Sequence, residues 1–278
     1  NITNLMRQAS INTIIALGMT FVILAGGIDL SVGSILALTS VVIADLQVKG
    51  IGLWPTILIP FVVATIAGLI NGLLVAKAQL QPFIATLATM FIYRGAAYVY
   101  SQGQAIWGLS DEFGIIGRGY IKGVPIPVII ALLIFIICHL TLSYTRFGRL
   151  PALQHRGQGA ADIFGVRTAR YVISTFIVSG MLAGVGGIIY ASRLGSGQPA
   201  GGSGFELYAI AAVVIGGTSF TGGRGDVIGT LLGAFIIGVF LNGLNLLGVG
   251  TYWQPLTVGA VILVAMLIDR IRYGPVNK

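Results

Sequence analysis

Long apolar runs, broken in a few places by glycine, proline and charge, make up most of this 278-residue chain. A helix that crosses the hydrocarbon core of a bilayer needs about 20 apolar residues, within a range of about 17–25. Runs of that kind fall at 11–27, 53–76, 82–100, 124–142, 171–192, 226–247 and 253–269, with shorter ones at 33–46 and 206–220. They do not alternate as the strands of an outer-membrane barrel would; "VPIPVIIALLIFIICHLTL" is apolar on every face. Lipid offers no partner to an unpaired peptide group, so such runs must be helices. The pattern predicts an all-α, polytopic transmembrane helical bundle with nine helices, a single domain over 1–278 with a polar loop at 143–170.

Two interruptions stand out, "GGIDLSVGS" at 26–34 and "GGTSFTGGRGD" at 216–226. Each passes from paired glycines through Ser or Thr into a helix of small residues, which suggests a weak internal repeat. Broken helices at corresponding places in two halves are the usual pointer to a transporter's solute path. Glycine pairs spaced by four, Gly68 and Gly72, Gly180 and Gly184, Gly229 and Gly233, are read as places where two helix backbones approach closely.

Composition narrows the class. Only 9% of the residues are charged and 56% are hydrophobic, against about 25% charged in a soluble domain. The net charge of +8 fits the cytoplasmic excess of Lys and Arg in membrane proteins better than an interaction with nucleic acid. The loop at 143–170 carries Arg146, Arg149, Arg156, Arg167 and Arg170, and the tail carries Arg270, Arg272 and Lys278. Both are therefore expected in the cytoplasm. Alternation from these anchors puts Lys77 and Arg224 inside, and Lys49, Arg118, Lys122 and Arg193 outside. With nine helices Asn1 falls outside, and a preceding helix would return the N-terminus to the cytoplasm. Trp107, Tyr120, Tyr252 and Trp253 read as interfacial aromatics. A lone Cys138 and two distant histidines give neither a disulfide nor a metal cluster.

The polar residues inside the runs are the candidate chemistry. Asp29 either lines a polar path, at the cost of a carboxylate in the membrane, or it and Ser31 accept backbone N–H groups where the next helix starts. Arg94 either meets a substrate hydroxyl, or snorkels or pairs with a carboxylate. Asn71, Asn242 and Asn245 suit a path for a neutral polyhydroxylated solute, or equally interhelical hydrogen bonds. Phe83 and Thr86 complete the candidate path. Glu206 sits where a helix N-terminus favours a carboxylate. No lysine directly follows a glycine, so no Walker A loop is present, nor are HExxH or GxSxG. The sequence offers no means of hydrolysing ATP.

"GMTFVILAGGIDLSVGSILAL", "QPFIATLATM" with the "RG" that follows, "TRFGR", "SRLGSGQPAGGSGFELYAIAAVVIGGTSFTGGRGDVIGTLLGAFIIGV" and "NGLNLLGV" together resemble the permease subunit of bacterial monosaccharide ABC importers of the ribose type. The resemblance runs from about Asn4 to Arg272. It implies a multi-pass plasma-membrane permease of ten helices, the first absent here, paired with a second permease copy and surrounded by membrane lipid. It implies a cytoplasmic ABC ATPase subunit and a periplasmic or lipid-anchored sugar-binding protein as partners. ATP and Mg²⁺ would sit on the ATPase, with no cofactor on this chain. The family's coupling segment corresponds to 148–165, where Gly148, Arg149, Ala160, Ala161 and Gly165 keep its spacing and "LPALQHRGQG" departs from it. Tyr208 stands where the family usually has Asp, and Val258 where it usually has Lys.

The implied mechanism is alternating access, with the loaded binding protein docking on 101–123 and 193–205. An ion-coupled secondary sugar transporter with Asp29 as its ion site, or an inactive permease relic, are the alternatives. D-ribose leads among the sugars.

Overall fold

The computed structural model describes residues 2–145, 147–148 and 168–250, and, toward the C-terminus, 253, 256–261, 263, 264 and 267. Nine helices are fully bounded among them: α1 Ile2–Leu24, α2 Val32–Val48, α3 Leu53–Ala76, α4 Pro82–Tyr100, α5 Asp111–Arg118, α6 Ile126–Tyr144, α7 Thr168–Leu194, α8 Phe205–Ile215 and α9 Val227–Leu246. The described residues between 253 and 267 are helical too. Four two-residue strands, β1 Ile106–Trp107, β2 Tyr120–Ile121, β3 Val124–Pro125 and β4 Ser196–Gly197, are the sheet content among the described residues. The all-α bundle read from the apolar runs is what forms.

The central helix is α1. Of its most apolar stretch 89% is buried inside the protein, against 17% for α6, which faces outward. A buried helix that carries Ser10, Thr13 and Thr20 must satisfy their hydroxyls internally. Each donates to the carbonyl four residues back, those of Met6, Ala9 and Ala16. Thr20 also meets the Thr230 hydroxyl at 2.7 Å, which ties α1 to α9.

Small residues set the close approaches. Gly68 of α3 lies on Gly180 of α7, and the Gly72 Cα faces the Ile173 backbone. A Cβ on Gly184 would stand 2.6 Å from that of Ala64. Gly187 of α7 rests on Leu36 and Thr39 of α2, and Gly18 of α1 rests on Ser179. With so little side chain on it, α7 brings three helices within backbone reach, and that contact replaces the hydrophobic driving force absent between helices in lipid. Gly229 and Gly233 of α9 lie on Gly216 and Ala212 in the same way. All three glycine pairs spaced by four therefore sit at helix–helix contacts.

Several boundaries differ from the apolar runs. Helix α1 begins at Ile2 rather than 11, because its first turns, though polar, continue the same helix. The run at 206–220 is helical only to Ile215. Gly217 then takes φ +88°, a left-handed conformation that ends the helix. At 1.5 Å per residue, α8 spans about 16 Å, half of a membrane's hydrocarbon core. Helix α5 was unexpected inside the segment 101–123. Ser110 caps it by accepting from the Phe113 N–H at 3.2 Å, and Asp111 and Glu112 occupy its first turn.

At one end of the bundle, β1 pairs antiparallel with β4, Trp107 opposite Ser196. Arg7 donates to the Arg118 carbonyl there and lies over the Tyr120 ring at 4.7 Å. At the opposite end the two glycine-rich breaks meet. The Gly223 N–H donates to the Leu24 carbonyl at 3.0 Å, and Gly222 lies against Gly26. Both breaks thus have the same organisation, helix, break, helix, and they pack on each other. Asp226, the last residue of "GGRGD", is the N-cap of α9 and accepts from the Gly229 N–H at 2.6 Å.

Candidate functional site

The candidate residues separate into two polar sites and a remainder. The first site surrounds the break between α1 and α2. Asp29 is fully buried. Its Oδ1 accepts from the Ser31 hydroxyl at 2.6 Å and from the Ser31 N–H at 3.0 Å. Its Oδ2 accepts from the Ser179 hydroxyl on α7 at 2.8 Å. Asn71 on α3 donates to the Ser31 Oγ at 2.7 Å and reaches Asp29 Oδ1 at 3.5 Å. Tyr93 on α4 donates to the Ala67 carbonyl at 3.0 Å, with Asn71 Oδ1 at 3.4 Å. Thr86 ties the start of α4 to the break through the Ile28 carbonyl at 3.0 Å. Helices α3 and α7 and the break itself therefore reach the carboxylate directly, and α4 joins through Asn71 and the Ile28 carbonyl.

This arrangement settles what the break needs. Ser31, the N-cap of α2, makes no side-chain cap bond; the carboxylate two residues earlier accepts its N–H instead. Among the described residues no cation approaches Asp29. Hydroxyl and amide donors surround it, and it is sealed from solvent. Of the predicted path residues, Asp29, Ser31, Asn71 and Thr86 meet here. Ser179 and Tyr93, which the sequence did not single out, complete the network.

The second site lies between α4, the start of α2 and the segment that leads into α8. It is a cavity of about 280 Å³. Arg94 and Tyr98 of α4, Ser34 of α2, and Ser203 and Glu206 beside the start of α8 supply its polar lining; Met90 and Phe91 supply an apolar wall. Chain 195–204 is non-helical, with β4 as its strand, and it runs down α2. Gly197 lies on Ser40 and Ala44, and Gly202 lies on Gly33 two turns further along. Non-helical backbone at membrane depth survives only where protein satisfies it. Arg94 does so by donating to the carbonyls of Pro199 at 2.9 Å and of Gly201. Arg94 therefore neither snorkels to an interface nor forms an ion pair among the described residues. Glu206 holds the other side of the turn, its Oε1 accepting from the Gly204 N–H at 3.1 Å.

The remaining candidates lie elsewhere. Phe83 is 48% exposed on the first turn of α4. Asn242 and Asn245 lie toward the end of α9, 15 and 18 residues beyond Val227, which is about 23–27 Å along the helix from the break. The structure does not bring them to Asp29. Tyr208 packs its ring on Phe205, centroids 6.1 Å apart. Val258 is 1% exposed and lies in the main apolar core, a position where a valine needs no partner and a lysine would.

Of the coupling residues, Gly148 is described. It lies directly on the backbone of Leu142, while its neighbour Phe147 packs between Phe21 and Tyr171, with centroids at 5.9 and 4.8 Å. Arg149, Ala160, Ala161 and Gly165 lie outside the described residues.

Residues 1–267 match the family described as branched-chain amino acid transport system, permease component. The chain is similar to the ribose import permease of Bacillus subtilis, 48% identical over 97% of this chain and 84% of that protein. It is similar to the D-allose permease of Escherichia coli, 39% identical over 98% of this chain and 83% of that one. It is 36% identical to the L-arabinose permease of the same bacterium, over 98% of this chain and 83% of the relative. No solved structure matches it significantly.

Proposed function

The chain belongs to this family of ABC-import permeases, a multi-pass inner-membrane transport subunit rather than a catalytic enzyme, and from that premise we propose that the solute it carries is D-ribose. The observation that carries the reading is the near-full-length similarity to ribose import permeases, stronger than that to the allose and arabinose permeases.

In this reading ATP is bound and hydrolysed, with Mg²⁺, on a separate ABC ATPase, since the sequence has no phosphate-binding loop of its own. A sugar-binding protein delivers the solute to the end where β1 and β4 join segment 101–110 to 195–204. That end faces outward, and the end where the two glycine-rich breaks meet faces the cytoplasm, as does the C-terminus. Segment 143–170 meets the ATPase there, through Gly148, Arg149, Ala160, Ala161 and Gly165. A second copy of the permease closes the pathway, and the exposed apolar faces of α3, α4 and α6 meet lipid or that copy. The chain acts as one domain over 1–278. The solute path runs past the Arg94 and Glu206 cavity. The Asp29 network supports that path structurally, its carboxylate held by hydroxyl and amide donors.

The test is labelled D-ribose uptake in cells that lack their own ribose permease but keep its ATPase and binding protein. ATP-dependent uptake on expression of this chain is the expected result. A reporter that fluoresces only in the cytoplasm, fused after Lys278, should light up in the same cells. Uptake that survives ATP depletion but collapses with an uncoupler would overturn the energy source, and uptake of leucine instead of ribose would overturn the solute.

A further inference from the structure

Arg94 and Glu206 each spend part of their bonding capacity on the fold. Arg94 holds two carbonyls of the descending segment. Glu206 holds the Gly204 N–H through Oε1. Among the described residues, Glu206 Oε2 is buried without a hydrogen-bond partner, and so is the hydroxyl of Ser34, a fully buried residue. Buried polar atoms in folded proteins are nearly always paired, and an orphan calls for an explanation. Both residues line one cavity, and Arg94 lines it with them. The opposite charges line the same space without closing into an ion pair.

Resting on the sugar-permease reading, we propose that this cavity is a transit station for a monosaccharide, with Glu206 and Ser34 as the groups that recognise its hydroxyls. A hydroxyl both donates and accepts. With a small rotation of these side chains toward the space they line, sugar O–H groups can donate to the Glu206 carboxylate, and a sugar oxygen can accept from Ser34 Oγ or from the guanidinium N–H groups of Arg94. Tyr98 and Phe91 offer the apolar surface against which the C–H face of a sugar ring packs. The volume, about 280 Å³, lies at the small end of ligand pockets, which run from about 300 to 1,000 Å³. It admits one monosaccharide and not a chain of them. Gly33 is part of the design. A Cβ there would strike both the Gly202 carbonyl and Glu206 Oε2, so only glycine leaves the carboxylate where it is. A free amino acid is the competing occupant, since it carries one charge of each sign. The leucine arm of the test below distinguishes it from the sugar.

Two measurements on the permease assembled with its ATPase and binding protein in lipid decide the matter. First, Glu206→Gln and Ser34→Ala should each lower ATP-driven D-ribose uptake, Glu206→Gln by about tenfold, the loss expected for one hydrogen bond to a charged group. ATPase stimulation by the loaded binding protein should persist, which shows that the variant is folded and docked. Second, with Cys138 replaced by Ala, Ser203→Cys should react with a small polar thiol reagent. D-ribose should slow that reaction, L-leucine should not, and adding Glu206→Gln should abolish the protection. Wild-type ribose uptake together with unchanged uptake in both variants, or with no protection by ribose, overturns the station and leaves the assigned function standing. No wild-type ribose uptake, with leucine protecting the cysteine, overturns both.

Discussion

Asp29 shows what one residue costs and what it holds. A carboxylate sealed among helices is tolerable only while its donors stay in place. Truncation to Ala would leave the Ser31 N–H and the hydroxyls of Ser31 and Ser179 facing a dry space. Each interhelical hydrogen bond in a membrane contributes modestly, about 0.6 kcal/mol on average, but a buried donor left unpaired costs about 1–3 kcal/mol. Asp29→Ala should therefore lower stability by about 2 kcal/mol or more, read as an earlier thermal melt in detergent. Asp29→Asn keeps the shape and half of the acceptor capacity, and should melt between the two. Coincident melts for wild type and Asp29→Ala would sink the structural account of this network. The sequence revealed that a carboxylate, a serine and an asparagine needed partners, because such residues are conspicuous in apolar runs. It could not reveal Ser179, 150 residues away. A lone serine in a transmembrane helix is ordinary, and its own i−4 carbonyl would satisfy it. Glu206 was visible as a helix-start carboxylate; that one of its oxygens lacks a partner depends on where Gly202 and Gly33 place the chain.

Among the elements, the long helices and the short apolar α2 were legible, while the end of α8 and the whole of α5 were not. Hydrophobic length sets α3, α6, α7 and α9, and no tertiary contact is needed to see them. Helix α8 ends where backbone geometry demands a left-handed residue, and an apolar-run count passes straight over that point. Helix α5 was hidden for the opposite reason. It is short and only half apolar, yet Ser110, Asp111 and Glu112 are a helix-start signal that capping rules alone would have found. The glycine contacts carry a prediction of their own. Gly68 faces the Phe176 carbonyl and Gly180 across the α3–α7 interface, so Gly68→Ala should force the helices apart at a cost of about 1–3 kcal/mol. Gly95 in α4 has nothing within 4 Å of an added Cβ. Gly95→Ala should be neutral or stabilising by up to about 1 kcal/mol. Detergent melting curves for the pair, measured side by side, check the assignment; equal gains at both sites would mean that helix propensity rather than interface geometry governs them.

For the molecule as a whole, the strand pair joins two stretches some ninety residues apart in the chain, Trp107 and Ser196. Facing residues of an antiparallel pair have Cα atoms about 4.5–5.5 Å apart, inside the range that a disulfide spans. Trp107→Cys with Ser196→Cys, in a chain whose Cys138 is replaced by Ala, should oxidise to an internal crosslink. Segment 195–204 leads directly to the cavity wall, so the crosslink should lower sugar uptake and a reductant should restore it. The readout is gel mobility together with uptake. A register slipped by one residue would place the two side chains on opposite faces and give no bond. Arg118, expected outside from alternation, meets Arg7 and lies near Tyr120 at one end of the bundle, while Leu24 and Gly223 meet at the other end.

Helix α8 is eleven residues of rigid rod held at each end by chain that is not helical, 195–204 before it and the glycine-rich 216–226 after it. In mechanical terms it is a connecting rod with a joint at either end. One joint rests on the break that carries Gly26, and the other on the wall that carries Glu206. A push delivered at the first would be passed along the rod and reach the second as a change in the shape of the space beside Arg94.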